Sequence, residues 1–428
     1  MGARLVALSL LFAGVGGVFG TNIVRADEPQ ADNSEQASQA EEDLPVMVRP
    51  RPEFDPKGIR LGGFRLYPTL DSSVTYDSNI DRTQVAPADD AIINVAPSLR
   101  LKSQWADDML EMYAGANSYN YLSHSAESLT DWNTGFDGQY NIERGVSVYA
   151  AGQFAELHEL RSSPNTIGAQ ASANRYGQYH GELDTTVQPN RLGIKTGVIA
   201  DTYSYQNAPL IGGGFLDNAD RSFNEYQGFI KTFYDFSPGY SGFVRISYDT
   251  RQFVQEFDRD GLRRSSNGYR VDGGVDLQIS HLLSGEVYIG YLNQDFIAPL
   301  SDVRGVDYSA QVDWLATPVL TVHFQAARTL TQVVLVDASV SDDKSIGVSA
   351  DYELLRSVIL QAHATFVDSS FPGITRHDQT PDAGAGVKTY VNRHVSLYAN
   401  YDYSGRATNL MGFGFRDSLV TVGITVHD

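Results

Sequence analysis

The residues of this chain that could do chemistry are mostly charges spaced by two or four: Arg100 and Lys102; Lys195; Lys231; Arg245, Asp249 and Arg251; Arg270, Asp272 and Asp276; Asp313; Asp351. A spacing of two places such residues on one face of an extended strand. Charges gathered on one face can line a water-filled passage, either as a ring that selects ions or as a ladder of ion pairs. Arg245, Arg251 and Arg270 lie on neighbouring segments and face Asp249, Asp272 and Asp276, so a ladder across the lumen is as good a reading as a selectivity ring. Catalysis fits less well, because it needs a nucleophile within reach of a base. Of the nine His, only His180, His323 and His363 share the parity of the charges inside a segment, and no neighbouring Ser stands out as activated. Asp81, Asp89 and Asp90 lack the spaced oxygen ligands of a calcium loop. Gly212-Gly213-Gly214 has neither the Lys nor the following helix of a phosphate loop. Tyr67, Tyr113, Tyr119, Tyr149 and Tyr401 offer rings on which a sugar could stack, but girdles at a membrane interface are the commoner use of such residues. The pattern thus points to no catalytic, cofactor or metal residue.

The elements that must position these charges are strands. In the stretch Asp131–Ile142, Trp132, Phe136, Tyr140 and Ile142 alternate with Asp131, Asn133, Asp137, Gln139 and Asn141. After the break Glu143-Arg144-Gly145 the alternation restarts at Val146, which reads as a hairpin. Trp132 and Tyr140 share the apolar face about 26 Å apart, at roughly 3.3 Å per residue, a spacing that suits a strand crossing a bilayer. The same alternation begins at Gly62 and gives about 18 segments to the C-terminus. Breaks of about 8 to 17 residues alternate strictly with breaks of about 3 to 5, the asymmetry of an outer-membrane barrel with long outer loops and short periplasmic turns. Charge on a lipid-facing parity costs about 2–4 kcal/mol at mid-bilayer, and charged residues keep to the other parity. The exceptions, Glu156, Arg175, Asp295, Arg328, Asp368 and Arg416, all fall at segment ends beside long loops. The expected fold is therefore all-β: a single transmembrane, antiparallel, up-and-down β-barrel of about 18 strands, with 16 as the alternative. A barrel of this size encloses a water-filled space.

Bulk composition narrows the function classes. A net charge of -20 disfavours nucleic acid as a partner, since phosphate binding needs clustered Lys and Arg. With no Cys the chain has no disulfide, thiolate site or cysteine nucleophile. No run of 18 apolar residues follows the N-terminal region, which excludes a bundle of membrane-spanning helices. Residues 1–26 read as a secretory signal, with Arg4 before an apolar Leu5–Phe19 and small residues at Val24-Arg25-Ala26. Residues 27–61 read as a disordered acidic periplasmic tail, its Asp27–Pro56 part holding nine acidic residues against Arg49 and Arg51. Residues 62–428 form the barrel. Both termini are expected in the periplasm, after Sec export, and the partner is outer-membrane lipid.

The entry segment Gly62-Gly63-Phe64-Arg65-Leu66-Tyr67-Pro68-Thr69-Leu70, followed by Val74-Thr75-Tyr76-Asp77-Ser78-Asn79-Ile80, resembles the opening of an outer-membrane β-barrel porin family of Gram-negative bacteria. That family often accompanies exopolysaccharide synthesis and export genes. The resemblance implies passage of a hydrophilic solute, most plausibly an exported polysaccharide, and periplasmic export components as partners. It has no established catalytic residues to carry over. The alternative is a structural or surface-interaction barrel with a plugged lumen and partner-binding long loops. The chain ends in His427-Asp428 instead of the aromatic residue with which such barrels commonly finish. Lumen parity carries roughly twice as many acidic as basic residues, so a passive pore should favour cations or neutral sugars.

Overall fold

A computed structural model describes residues 44–166, 170–279 and 282–428; the expected signal and the first part of the expected tail lie outside the described residues. Eighteen strands form the wall: β1 Phe64–Asp77, β2 Asp90–Ser103, β3 Met109–Tyr121, β4 Leu129–Glu143, β5 Val146–His158, β6 Arg175–Val187, β7 Leu192–Tyr205, β8 Phe223–Ser237, β9 Tyr240–Phe253, β10 Ser266–Ile279, β11 Leu283–Phe296, β12 Val303–Thr317, β13 Leu320–Gln332, β14 Val340–Leu355, β15 Val358–Ser370, β16 His377–Asn392, β17 Val395–Thr408 and β18 Phe415–His427. Each pairs antiparallel with the next, and β1 closes on β18 from Thr69↔His427 to Asp77↔Leu419. Closure pairs every strand on both sides, as hydrocarbon demands, with the β12–β13 ladder running only from Ser309↔Ala327 to the short turn.

Alternation along each strand decides which face looks out. On the middle of β9, Val244, Ile246 and Tyr248 are exposed, and the alternate residues Arg245, Ser247 and Asp249 are partly or fully buried. Large apolar side chains are exposed all around the wall, for example Ile230, Ile289 and Ile346 at 56%, 66% and 63%. Such a surface is stable only in an apolar solvent. Trp132, Tyr179, Tyr226, Tyr248, Tyr269 and Tyr291 stand outward near the long-loop ends of their strands, and Tyr140, Tyr234, Tyr240, Trp314 and Tyr352 near the short-turn ends. These are the two aromatic girdles expected at a bilayer's interfaces.

The alternation of long and short connections holds, with some boundaries moved. Five short turns consist of two residues, 144–145, 238–239, 318–319, 356–357 and 393–394, tighter than the sequence suggested. Each sits beside a register shift in its hairpin. Gly145 holds φ at +81°, and a Cβ there would collide with the Gln188 carbonyl, so this turn requires glycine. On the other side, three connections read as long shrink to 297–302, 371–376 and 409–414 because the strands run further than their apolar cores.

The N-terminal segment corrects an expectation. The described part of the acidic stretch, from residue 44 to residue 58, is packed into the short-turn mouth and does not hang free. Val46 donates its N–H to Thr321 Oγ1 at 2.9 Å, and Arg49 and Arg51 reach the same Glu353 carboxylate at 3.2 and 3.1 Å. Arg49 also donates to the Pro318 carbonyl, and Phe54 stacks on Tyr390 at 5.9 Å. Ile59–Leu61 then folds back onto Phe64–Leu66 before the wall begins. An average over an acid-rich stretch concealed two arginines that supply the counter-charge for one buried glutamate.

Candidate functional site

The inner wall of the barrel is built by the strand parity opposite to the apolar one, and its charges meet as neighbours along the wall. On β2, Arg100 and Lys102 both contact Glu111 of β3, at 3.0 and 3.3 Å. Lys195 of β7 pairs with Asp184 at 2.9 Å. Lys231 of β8 reaches Asp276 at 3.0 Å and Glu286 at 2.8 Å; Arg245 of β9 reaches Asp272 and that same Glu286, both at 3.2 Å. Arg251 pairs with Glu225 at 3.1 Å, Arg270 approaches Asp307 at 3.8 Å, and Asp249 accepts a hydrogen bond from Gln294 at 3.0 Å. These pairs run laterally between strands close together along the wall, from β6 to β12, and none of them reaches across the lumen.

From β12 onward the character of the wall changes. His323 of β13 lies between two carboxylates, with Nδ1 2.6 Å from Asp313 and Nε2 3.0 Å from Asp351. His363 of β15 faces Asp382 at 3.0 Å and Asp402 at 3.7 Å. His323 thus has a carboxylate at each ring nitrogen, whereas His363 meets both of its carboxylates through Nε2 alone. His180 on β6 contacts Asp201 at 2.9 Å. All three histidines singled out as candidate bases are thus engaged by carboxylates. Asp90 receives the backbone N–H groups of Ser123 and His124, which ties down the 122–128 loop.

Aromatic rings also face the lumen, which the polar reading of the inner wall missed. Phe229 and Phe233 of β8 share the parity of Lys231, and their rings fill the space that Gly197 and Gly193 leave on β7. The Lys231 ammonium sits 3.9 Å from the Phe243 ring centre and the Arg245 guanidinium 4.4 Å from that of Tyr288. The available signal was glycine facing phenylalanine at matched register, Gly197↔Phe229 and Gly193↔Phe233.

Two segments turn inward at the long-loop mouth. The connection after β5 crosses to the opposite wall, where Asn165 donates to the Gln332 carbonyl at 3.3 Å and accepts from the Val334 N–H at 2.9 Å. Its Ser162 carbonyl accepts a hydrogen bond from Arg406 of β17. The second segment is the tip of the β13–β14 hairpin. Residues 333–339 are held by Arg264, which donates to the Val333, Leu335 and Ala338 carbonyls at 2.9–3.0 Å. Val333, Ala338 and Phe371 form a small buried cluster beneath it. Outside the wall, the connection after β7 is clasped by Arg259, which grips both oxygens of Asp220 at 2.8 Å. Charges that break the parity rule mostly neutralise each other: Glu156 meets Arg175 at 2.9 Å, Asp295 meets Arg304 at 3.1 Å and Arg328 meets Asp342 at 2.8 Å.

No characterised protein matches the chain in sequence. Among solved structures, OpdK of Pseudomonas aeruginosa, solved with vanillate, is 9% identical and superposes with a TM-score of 0.45 over 85% of this chain and 99% of its own. OccAB4 of Acinetobacter baumannii is 12% identical, with a TM-score of 0.44 over 86% and 99%. OpdL of Pseudomonas aeruginosa is 13% identical, with a TM-score of 0.44 over the same shares. A family described as "Putative beta-barrel porin 2" matches residues 51–428. The chain therefore belongs to that family of outer-membrane, porin-like β-barrels.

Proposed function

We propose that the barrel is a channel for hydrophilic solutes, with Arg100, Lys102, Lys195, Lys231, Arg245, Asp249, Arg251, Arg270, Asp272, Asp276, Asp313 and Asp351 lining its path. The observation that carries this reading is the segregation of charge: apolar groups outside, ionised and hydrogen-bonding groups inside. In this reading the short-turn end, with both termini, faces the periplasm, and residues 1–26 are a signal removed on export. The ion pairs on β7–β11 cancel much of the charge there, so the excess acid of β12–β17 sets the field and the pore prefers cations. The finer reading is that the solute is a polysaccharide strand leaving the cell. Phe229 and Phe233 offer ring faces for stacking, and the neighbouring Lys231, Asp276 and Glu286 offer donors and acceptors for hydroxyls, a combination that suits a glycan.

A second reading is a plugged barrel whose long loops bind a partner. It is favoured by the inward segments at both mouths. Planar-bilayer recording under a salt gradient separates the two, since steady openings with a cation-selective reversal potential support a channel and a silent protein supports the plug. Deleting the gene and weighing secreted polymer tests the cargo: unchanged output removes the polysaccharide and leaves a general solute channel.

A further inference from the structure

The barrel wall is incomplete along one seam. The β12–β13 ladder stops at Ser309↔Ala327, although β12 runs on to Val303 and β13 to Gln332. Both strands remain fully paired with their other neighbours there, β12 with β11 and β13 with β14. What has happened is an inward tuck of the β13–β14 tip. Lower on these strands the outward parity is lipid-exposed at Phe324, Ile346 and Val348, but at the tip the same parity, Arg328, Leu330, Val340 and Asp342, is buried. Leu330 and Val340 pack on Leu292 and Val303, which belong to the inner face of β11 and β12. The hairpin tip has thus slipped behind its neighbours, keeping its orientation while moving one layer into the lumen.

Three features suggest that the seam is an alternative ladder left open. Continued in register, it would pair Asp307 with Thr329 and Val306 with Leu330, bringing Thr329 back into the wall beside Asp307 and returning Leu330 to the lipid face. Asp307 is fully buried and no hydrogen bond reaches either of its carboxylate oxygens; its nearest counter-charge is Arg270 at 3.8 Å. The continued register would set the Thr329 hydroxyl, now exposed, beside it. On the free edge of β12, Gly305 takes φ of +143°, and the Val306 carbonyl accepts from the Arg328 guanidinium at 2.7 Å in place of a strand partner. An unpaired strand edge beside lipid is costly. The tucked state is held by side chains reaching from the wall and the loops: Arg328 on Asp342, Arg251 on the Leu330 carbonyl at 3.2 Å, and Arg264 on the carbonyls of the tip.

We propose that the β13–β14 tip is the gate of the long-loop mouth. It closes by tucking and opens by zipping β13 onto β12 along Val303–Tyr308, which draws residues 333–339 out of the lumen. This rests on the channel reading for its consequence but not for the movement itself. The chain contains no Cys, so introduced pairs are unambiguous. Asp307→Cys with Thr329→Cys, and separately Val306→Cys with Leu330→Cys, place adjacent pairs of the continued ladder opposite one another. Adjacent antiparallel pairs alternate between the two spacing classes, so one of the two suits a disulfide. Each variant is oxidised in native outer membranes, checked for intact barrel by its heat-dependent gel mobility, scored for the disulfide by mass spectrometry and recorded in planar bilayers beside the wild type.

The expected result is a disulfide in at least one pair and a several-fold rise in conductance on oxidation, reversed by reductant. Disulfides in neither pair, with both barrels intact and the wild type conducting, overturn the gate and leave the channel reading standing. A disulfide without change in a conducting protein also overturns the gate. A disulfide in a protein that stays silent oxidised and reduced overturns the channel reading, and the gating role falls with it.

Discussion

At the scale of single residues, the most consequential contact is the grip of Arg49 and Arg51 on Glu353. All three side chains are at most 5% exposed, and removing one member of a buried set leaves the others uncompensated, at a cost of about 3–5 kcal/mol. Glu353→Gln should therefore release the N-terminal segment, so that proteinase K cleaves within residues 44–58 of an intact barrel, while the wild type and Glu353→Asp resist. Equal resistance in the Gln variant would show that packing of Val46 and Phe54 holds the segment without the charges. Outside the membrane, Asp220 gives a pH dependence. Burial works to raise its carboxyl, but the Arg259 guanidinium and backbone N–H outweigh it and hold the group below its ordinary value. A lowered folded-state pKa contributes stability above the ordinary carboxylate value, and that stability is lost as the pH falls through the lowered one. Limited proteolysis of the connection after β7 should accelerate only in strong acid, and at neutral pH in Asp220→Asn; a rate flat across the acid range would contradict this.

At the scale of elements, the two faces of one strand should respond oppositely to the same substitution. Ile230 lies at the middle of β8 on the exposed apolar face, and Gln227 lies on the lumen face beside Asp249. Ile230→Arg should cost about 2–4 kcal/mol in urea unfolding from lipid vesicles. Gln227→Arg, with Asp249 as its partner, should cost under half as much; equal losses would mean that both faces see the same environment. This period-2 contrast is also what made the strands readable, because lipid outside and water inside impose opposite chemistry on alternate residues over the whole strand. The segments expected from alternation, about 18 from Gly62 onward, match the 18 strands of the wall. The tucked tip was not readable, because Leu330 and Val340 obey the alternation of a wall strand, Arg328 departs from it only as other charges beside long loops do, and tertiary packing alone moves them inside. Neither was the docked N-terminal segment, whose composition is that of a solvated tail although Arg49 and Arg51 are buried.

At the scale of the whole molecule, a closed wall without Cys draws its stability from strand pairing around the barrel and from apolar contact with lipid. The wall is departed from in three places: a segment in the short-turn mouth, and a loop and a tucked hairpin in the other. The inner charges divide into a neutralised ladder on β7–β12 and a carboxylate-rich sector on β12–β17 bridged by His323 and His363. All of this depends on the apolar parity facing lipid. The most direct test is a nitroxide scan of residues 244–249 on β9 in vesicles, one introduced Cys at a time. Collisions with oxygen should peak at Val244, Ile246 and Tyr248, and collisions with a water-soluble nickel chelate at Arg245, Ser247 and Asp249. A reversed alternation, or chelate access equal at all six positions, would contradict the account.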